Sequence, residues 1–269
     1  MREKLKTAIE ASVAAGKAIM EIYRNDDFGV ENKEDDSPLT LADKKANEII
    51  NEFLVPHAIP IISEENKQID YEERKIWTQC WIVDPLDGTK EFIKKNDEFT
   101  VNIAFVEEGK PELGVIFAPA LNTLYFALVS ESKAFRYNIS PEEKVSAEEI
   151  LEKAEEINPA TSKGERLKVV GSRSHMNEDT QRFIEDLKQT HGEEIEIVSR
   201  GSSLKFCLVA EGNAHIYPRF APTMEWDTAA GHAICEAVGL NCIFKETGEP
   251  MTYNREDLLN GHFSVSYER

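Results

Sequence analysis

Apolar side chains recur at helical spacing in the first part of the chain, and this pattern predicts two amphipathic helices. The apolar stripe of the first helix comprises Leu5, Ile9, Ser12, Val13, Ala15, Ile19 and Ile22. The stripe of the second helix lies between Ala42 and Leu54. Thr40 and Asp43, three residues apart, have the form of a capping box at its start.

Short apolar runs follow, with the period and the turn residues of β-strands. Ile59 to Ile62 and Trp81 to Val83 both end at acidic residues. Turns containing Gly, Pro and Asn separate three further runs, Thr100 to Val106, Leu113 to Ala118 and Leu124 to Val129. These runs predict an antiparallel meander beside the two helices.

The composition becomes acidic and Lys-rich beyond residue 139, and we expect 140–166 to be a surface excursion. It would separate an N-terminal α+β half, 1–139, from a C-terminal α/β half, 167–269. Strands and helices alternate in the second half. The predicted strands are Leu167 to Val170, Ile195 to Val198, Ala214 to Tyr217, Cys242 to Phe244 and Phe263 to Ser266, and the predicted helices are centred on Phe183 to Leu187, Leu204 to Ala210 and Thr228 to Val238.

Charge and composition limit the classes of function. The chain has 50 acidic and 31 basic residues among 269, a formal charge of −19, which argues against a nucleic acid polymer as partner. A phosphorylated substrate would need bound cations and local Lys or Arg residues to reverse this field. No apolar run approaches the length of a membrane span, so we expect a cytoplasmic protein, either free or peripheral at the inner membrane's cytoplasmic face. The four cysteines form no CxxC pair and are interpreted as reduced core residues.

The segment WIVDPLDGTKEF, residues 81–92, contains the most informative chemistry. A strand would deliver Asp84 to its end, and a turn enforced by Pro85 would bring Asp87 beside it. Two such close carboxylates repel each other unless cations lie between them, and oxygen ligands of this kind suit Mg²⁺. The carbonyl of Leu86 could face a metal, and the amides of Gly88 and Thr89, opening a helix, could face a phosphate.

Three other interpretations of this segment are weighed. An EF-hand loop would need an acidic residue at its twelfth position, which is Lys95. Phosphatases that form an aspartyl-phosphate typically have one residue between two aspartates, whereas two intervene here. An ordinary Asp-rich turn is the remaining alternative.

Two further acidic positions favour a metal site over an ordinary turn. Glu64 follows the Ile59 to Ile62 run, and Asp227 precedes the predicted helix at Thr228. Each has a simple structural interpretation: Glu64 as a solvated loop residue, and Asp227 as a helix N-terminal residue that favours the dipole.

A Glu-Glu pair after a strand, then DPLDGT, then WD before a helix of small residues resembles the inositol monophosphatase superfamily, over nearly the whole chain. Within it, four segments are similar to the bacterial CysQ branch of 3'(2'),5'-bisphosphate nucleotidases: WIVDPLDGTKEFI, GSRSH at 171–175, GSSLKFCLVAEG at 201–212 and YPRFAPTMEWDTAAGHA ending at Ala233. The resemblance implies a layered αβαβα sandwich of the inositol monophosphatase and fructose-1,6-bisphosphatase type, α+β and α/β in composition. It also implies hydrolysis of 3'-phosphoadenosine 5'-phosphate, a role in sulfur metabolism, and inhibition by Li⁺.

The resemblance also implies roles for single residues. Two or three Mg²⁺ ions would activate a water for in-line attack on phosphorus, with Asp43, Thr89 and Glu64 as the catalytic residues. The implied metal ligands are Glu64, Asp84, the Leu86 carbonyl, Asp87 and Asp227. The implied substrate contacts are Leu86, Asp87 and Asp227, Gly88 and Thr89 at the phosphate, and His175, Ser202, Lys205 and Arg219 at the nucleotide.

Alternatives remain open at this point. Lys205 could extend to solvent from an apolar helix, Arg219 could be a plain loop residue, and His175 a solvated side chain. An inositol monophosphatase or sugar bisphosphatase could use the same metals, and a non-catalytic acidic protein could bind Ca²⁺ or Mg²⁺ for structure. We expect a monomer or a homodimer with a small nucleotide bisphosphate as its substrate.

Overall fold

The computed structural model describes residues 1–25, 29, 31–32, 38–139, 145–162, 166–171, 177–191 and 195–267. Within these ranges the α-helices are α1 Arg2–Tyr23, α2 Leu41–Leu54, α3 Tyr71–Arg74, α4 Thr89–Ile93, α5 Ala147–Lys153, α6 Glu178–His191, α7 Leu204–Ala210 and α8 Glu225–Ala237. The strands are β1 Glu31–Asn32, β2 Pro38–Leu39, β3 Ile61–Ser63, β4 Gln79–Asp87, β5 Thr100–Glu107, β6 Lys110–Ala118, β7 Thr123–Leu128, β8 Lys133–Asn138, β9 Glu155–Ile157, β10 Leu167–Gly171, β11 Ile195–Ser199, β12 Ile216–Arg219, β13 Asn241–Phe244 and β14 Phe263–Ser266.

Two sheets organise the molecule, beside the short antiparallel pair of β1 and β2. The larger has seven strands in the order β3-β4-β5-β6-β7-β8-β9, and it is antiparallel except for the parallel pair of β3 and β4. The smaller has five strands in the order β11-β10-β12-β14-β13. In it β10 is parallel to β11 and β12, whereas β14 is antiparallel to its neighbours.

Both faces of the central strands β4 to β7 are buried, and these strands are accordingly apolar along most of their length. Alternate residues of β4 enter different cores: Trp81 packs with α1 and α2, and Ile82 packs with α7 and α8. The small sheet closes the second core through Tyr217 and Phe263, and α6 packs against its outer face through Ile184. The layers therefore run α1/α2, large sheet, α7/α8, small sheet and α6, which confirms the expected αβαβα sandwich.

Local chemistry explains where the helices near the site begin. At α2, the Thr40 hydroxyl accepts from the amides of Ala42 and Asp43, while the Asp43 carboxylate accepts from the Thr40 amide at 2.7 Å. The predicted capping box is thus confirmed. The helix α8 begins at Glu225, three residues before the predicted start at Thr228, because Asp227 caps the Met224 amide at 2.7 Å from within the first turn.

A close approach of α8 to the large sheet fixes the position of the first turn of α8. A Cβ atom on Gly114 of β6 would lie 2.2 Å from the carbonyl oxygen of Ala230 and 2.9 Å from the Cβ of Ala233. Only glycine permits this contact. Any side chain at this position would displace α8, and with it Asp227.

Two details differ from the sequence expectations. The strand β3 pairs in parallel with β4 rather than joining an antiparallel meander. The described part of 140–166 is also more ordered than a surface excursion, since it contains α5, with Ile150 buried, and β9 at the edge of the large sheet. The remaining strands and helices of the second half lie within a few residues of their predicted positions. The boundaries of the two halves stay a prediction.

All four cysteines are buried free thiols, as expected. No helix in the described ranges combines the length and the apolar character that a membrane crossing needs.

Candidate active site

Asp84 and Asp87 meet because the strand that carries them is irregular. Asp84 is opposite Asn102 of β5, whereas Asp87 is opposite Thr100, so β4 contains one extra residue between the two aspartates. Residues three apart on a regular strand point to opposite faces, and the bulge brings both carboxylates to one side. The expectation of a turn enforced by Pro85 is wrong in this respect, since β4 continues to Asp87.

The first turn of α8 adds a third carboxylate. One oxygen each from Asp84, Asp87 and Asp227 lies within 4.8 Å of the others, and we call these three residues the acidic cluster. Asp84 is 1% exposed, and its Oδ1 accepts a hydrogen bond from the Leu86 amide at 3.0 Å. Glu64 follows β3, where its amide donates to the Val83 carbonyl at 3.2 Å.

Electrostatics make this cluster unfavourable for the protein alone. Burial, and then the charges of Glu64, Asp87 and Asp227, raise the pKa of Asp84 well above its ordinary range. Burial and the charge of Asp87 also raise the pKa of Asp227, although the Met224 amide opposes this. Like charges in a low dielectric are tolerated when cations lie between them.

The donor set fits a hard divalent cation. All the side-chain atoms that the acidic cluster offers to a metal are carboxylate oxygens, and Glu64 contributes a fourth negative charge nearby. Mg²⁺ takes such ligands together with water and substrate phosphate, whereas zinc sites draw on Cys and His. The predicted metal ligands therefore come together around one region, while the number of ions stays a prediction.

Asp43 and Thr89, two of the residues that the resemblance implies are catalytic, are in contact. The Thr89 hydroxyl donates to Asp43 Oδ1 at 3.1 Å and also lies 3.3 Å from the Leu86 carbonyl oxygen. Asp43 Oδ2 accepts from the Thr40 hydroxyl at 2.6 Å, so its capping role and its contact with Thr89 coexist. Burial raises the pKa of Asp43, which makes its carboxylate a better proton acceptor.

Gly88 shapes the start of α4 between these groups. Its φ of 90° is in the left-handed region, and an added Cβ would lie 3.2 Å from the Glu98 carbonyl oxygen and 3.3 Å from the Ser202 Cβ. Glycine is the residue that adopts this conformation without strain. The backbone of β4 can therefore turn directly into α4 beside the residues of the second half.

A cleft of about 330 Å³ extends from the acidic cluster to Ser202, Lys205 and Arg219, three of the residues predicted at the nucleotide. We call Lys205 and Arg219 the cationic wall. Lys205 is 8% exposed and donates to the Ser202 carbonyl at 2.9 Å, so it does not extend to solvent. Arg219 is the last residue of β12, half-buried, and it donates to the Pro222 carbonyl at 3.2 Å.

The cationic wall lies within electrostatic reach of the acidic cluster. Burial lowers the pKa of Lys205 to about 8, and the charge of Asp87 opposes this effect. The positive charge of Arg219 in turn partly opposes the rise in the pKa of Asp227. The remaining predicted nucleotide contact, His175, lies outside the described residues.

Two residues beside the acidic cluster were not predicted from the sequence. Ser203 donates to Asp87 Oδ2 at 2.7 Å, and the Asn102 side-chain amide donates to the Ser203 hydroxyl at 2.9 Å. Asn102 is the one amide in the apolar run 100–106, and Ser203 precedes α7. Asn102 could have been recognised from the sequence, because a polar residue inside a buried strand needs a hydrogen-bond partner. Nothing in the local pattern distinguished Ser203 from Ser202.

Known proteins are similar to this chain in sequence and in structure. Residues 1–268 match the inositol monophosphatase family. The chain is 44% identical over 256 residues to the 3'(2'),5'-bisphosphate nucleotidase CysQ of Shigella flexneri, which spans 94% of this chain and 95% of that protein. CysQ of Escherichia coli strain K12 is 43% identical with the same coverage.

Solved structures give the same result. The crystal structure of CysQ from Bacteroides thetaiotaomicron, a bacterial member of the inositol monophosphatase family, superposes with a TM-score of 0.89 at 46% identity, over 100% of this chain and 98% of that one. The extragenic suppressor protein suhB from Bartonella henselae superposes with a TM-score of 0.76 over 99% of this chain and 94% of that one. At 22% identity, this second likeness concerns the fold alone.

Proposed function

We propose that this chain, which belongs to the inositol monophosphatase family, is a Mg²⁺-dependent phosphatase that removes the 3'-phosphate of 3'-phosphoadenosine 5'-phosphate. The names of its relatives at 43–44% identity support the substrate class. The observation that carries the proposal is that one cleft is lined by two acidic-cluster residues, Asp87 and Asp227, and by both residues of the cationic wall. A substrate with two phosphates can use both: one phosphate beside cations at the acidic cluster, the other beside Lys205 and Arg219.

Cations at the acidic cluster would lower the pKa of a bound water and neutralise charge on the phosphate and the leaving oxygen. The residues of the chain would hold these cations, orient the substrate phosphate and transfer protons. Glu64, Asp84, Asp87 and Asp227 would hold two or three Mg²⁺ ions, with the Leu86 carbonyl as a further oxygen ligand. The amides of Gly88 and Thr89 would bind the phosphate oxygens.

The Asp43 and Thr89 pair suits the deprotonation of the attacking water. Because the Thr89 hydroxyl donates to Asp43 Oδ1, its lone pairs are available to accept a proton from water. Asp43 Oδ1 then receives the threonine's own proton, and Thr40 holds the other carboxylate oxygen in place. The water oxygen becomes bonded to phosphorus while the 3'-oxygen of the ribose leaves, as in an in-line displacement.

The cationic wall supports a nucleotide bisphosphate over a monophosphate. In the described part of the second half, the Ser202 hydroxyl and the Arg219 Nε have no hydrogen-bond partner although both atoms are buried. Buried donors without partners are costly, so a ligand that supplies acceptor oxygens would be bound favourably there. A 5'-phosphate has the charge and the acceptors for this position.

The test compares phosphate release from 3'-phosphoadenosine 5'-phosphate and from inositol 1-phosphate, each with Mg²⁺ and with the metal chelated. We expect a kcat/KM at least about 100-fold higher for the nucleotide, and no turnover without the cation. A preference for inositol 1-phosphate would retain the metal site but refute the proposed role of Lys205 and Arg219. Absence of phosphate release from either substrate would favour a non-catalytic cation-binding protein.

A further inference from the structure

The hydroxyl of Ser203 lies between the acidic cluster and the residues predicted to contact the nucleotide. Ser203 is 2% exposed, directly follows Ser202, and precedes the first residue of α7. Its Oγ is 2.7 Å from Asp87 Oδ2 and 2.9 Å from the carbonyl oxygen of Asp227. The hydroxyl thus contacts two of the three residues of the acidic cluster.

Asn102 fixes the direction of these hydrogen bonds. Its Nδ2 is 2.9 Å from Ser203 Oγ and 3.4 Å from Asp87 Oδ2. An amide nitrogen only donates, and the opposite orientation would place the amide oxygen against a carboxylate. Ser203 Oγ therefore accepts from Asn102, and its single proton is left for Asp87 Oδ2 or the Asp227 carbonyl. The shorter distance and the negative charge favour Asp87.

We propose that Ser203, oriented by Asn102, is a positioning residue that holds Asp87 by Oδ2 in the orientation required for cation binding and couples this carboxylate to the substrate-binding segment. The inference rests on the proposed function, because it concerns the cations of that reaction. Its physical basis is that hydrogen bonds to a ligating carboxylate restrict its rotation before the cation arrives. Since Ser202 precedes Ser203 and Lys205 lies two residues after it, substrate binding and cation binding should each strengthen the other.

The direct test measures cation affinity without substrate. Mn²⁺ binding to metal-stripped protein is followed by electron paramagnetic resonance for wild type and Ser203→Ala, and we expect the variant to bind about tenfold more weakly. Ser12→Ala is the matched control, because Ser12 is also buried and its hydroxyl donates only to the Ile9 carbonyl within α1. Both variants should unfold within a few degrees of wild type in the presence of chelator. Equal Mn²⁺ affinity in Ser203→Ala and wild type would overturn the inference.

A double-mutant cycle identifies the route of the effect. If Ser203 acts through Asp87, then Ser203→Ala should change Mn²⁺ affinity less than about twofold when Asp87→Asn is already present. A full tenfold effect in that background would show that the hydroxyl acts elsewhere, and this would also overturn the inference. Failure of the proposed function is distinguishable, because it would appear as wild-type protein that releases no phosphate from 3'-phosphoadenosine 5'-phosphate, whereas the comparison of Mn²⁺ affinities does not depend on turnover.

Discussion

The acidic cluster and the cationic wall line the same cleft, but their polar groups are satisfied in different ways. In the acidic cluster, Asp84 accepts from the Leu86 amide, Asp87 from Ser203, and Asp227 from the Met224 amide. In the cationic wall, Lys205 donates to a backbone carbonyl, while Arg219 Nε is buried without a partner among the described residues.

This difference indicates the kind of ligand for which each of the two regions is preorganised. Backbone and side-chain donors already fix the carboxylates, and what the cluster lacks is positive charge, as the raised pKa values of Asp84 and Asp227 show. The cationic wall carries its own positive charge, and its Arg219 Nε lacks an acceptor among the described residues. A cation therefore suits the first region and an anionic substrate group the second.

The largest expected effect comes from removing a carboxylate of the acidic cluster. Asp87→Asn should reduce kcat by at least about 10³-fold, because one ligand of the cations is lost while the amide oxygen can still accept from Ser203. Thermal unfolding in chelator should occur at the wild-type temperature or above it, since a charge is removed from a repelling group.

Asp186→Asn is the control for that variant, as Asp186 is an exposed residue of α6. It should retain wild-type kcat and stability. An Asp87→Asn protein with near-normal kcat, or one that no longer folds, would contradict the assignment of Asp87 to cation binding.

A smaller effect on activity is expected from the cationic wall, without a loss of cation affinity. Lys205→Met keeps the length of the side chain but removes its charge, and it should lower kcat/KM for the nucleotide bisphosphate about 100-fold. Mn²⁺ affinity should be unchanged or higher, because a positive charge near Asp87 and Asp227 is gone. Steady-state kinetics and a Mn²⁺ titration on the same preparation test both statements. Weaker Mn²⁺ binding in this variant would show that the two regions are not separable.

The sequence was informative about the acidic cluster because Asp84 and Asp87 are close in the chain and the resemblance adds Asp227 to them. It predicted Asp84, Asp87 and Asp227 as a group, and the structure brings them within 4.8 Å. The β-bulge that aligns Asp84 with Asp87 was not predictable, since a bulge depends on the register of the partner strand β5.

The groups that support the acidic cluster were not predicted from the sequence, because their contacts join distant parts of the chain. Asn102 and Ser203 are 101 residues apart, and neither lies in a pattern that indicates their contact. The parallel pairing of β3 with β4 was not predicted either, because short apolar runs do not specify the direction in which they pair. By contrast, the capping box of α2 involves neighbours only and was predicted in full.

Stability without cations should depend on pH in a direction set by the acidic cluster. Because the pKa values of Asp84 and Asp227 are raised in the folded state, the folded protein holds protons that the unfolded chain, with carboxyl pKa values of about 4, has released. The free energy of unfolding in chelator should therefore fall with rising pH, by on the order of 2 kcal/mol between about pH 5.5 and about pH 7.5.

Magnesium at about 100 times its Kd should add back about 2.7 kcal/mol at the upper pH. Denaturant unfolding at both pH values measures this, and Asp84→Asn serves as the comparison because other buried acids such as Glu225, whose pKa burial raises to about 7, are unchanged in it. A pH dependence in chelator as steep in Asp84→Asn as in wild type would show that Asp84 does not contribute to it.

The smallest expected effect concerns a carboxylate that belongs to neither region. Glu98 Oε2 accepts from the Gly201 amide at 2.8 Å, and Oε1 lies 3.6 Å from the half-exposed Arg200. Glu98→Gln can keep the contact with the Gly201 amide and weakens the contact with Arg200, which is worth about 0–1 kcal/mol, so KM should rise at most about threefold with kcat and Mn²⁺ affinity unchanged. Glu98→Ala loses both contacts, frees the segment that holds Ser202, and should raise KM about tenfold. If Glu98→Gln instead lowered kcat/KM as strongly as Lys205→Met, the charge of Glu98 would act on the substrate itself, and an acidic residue would have to be counted within the substrate-binding side of the cleft.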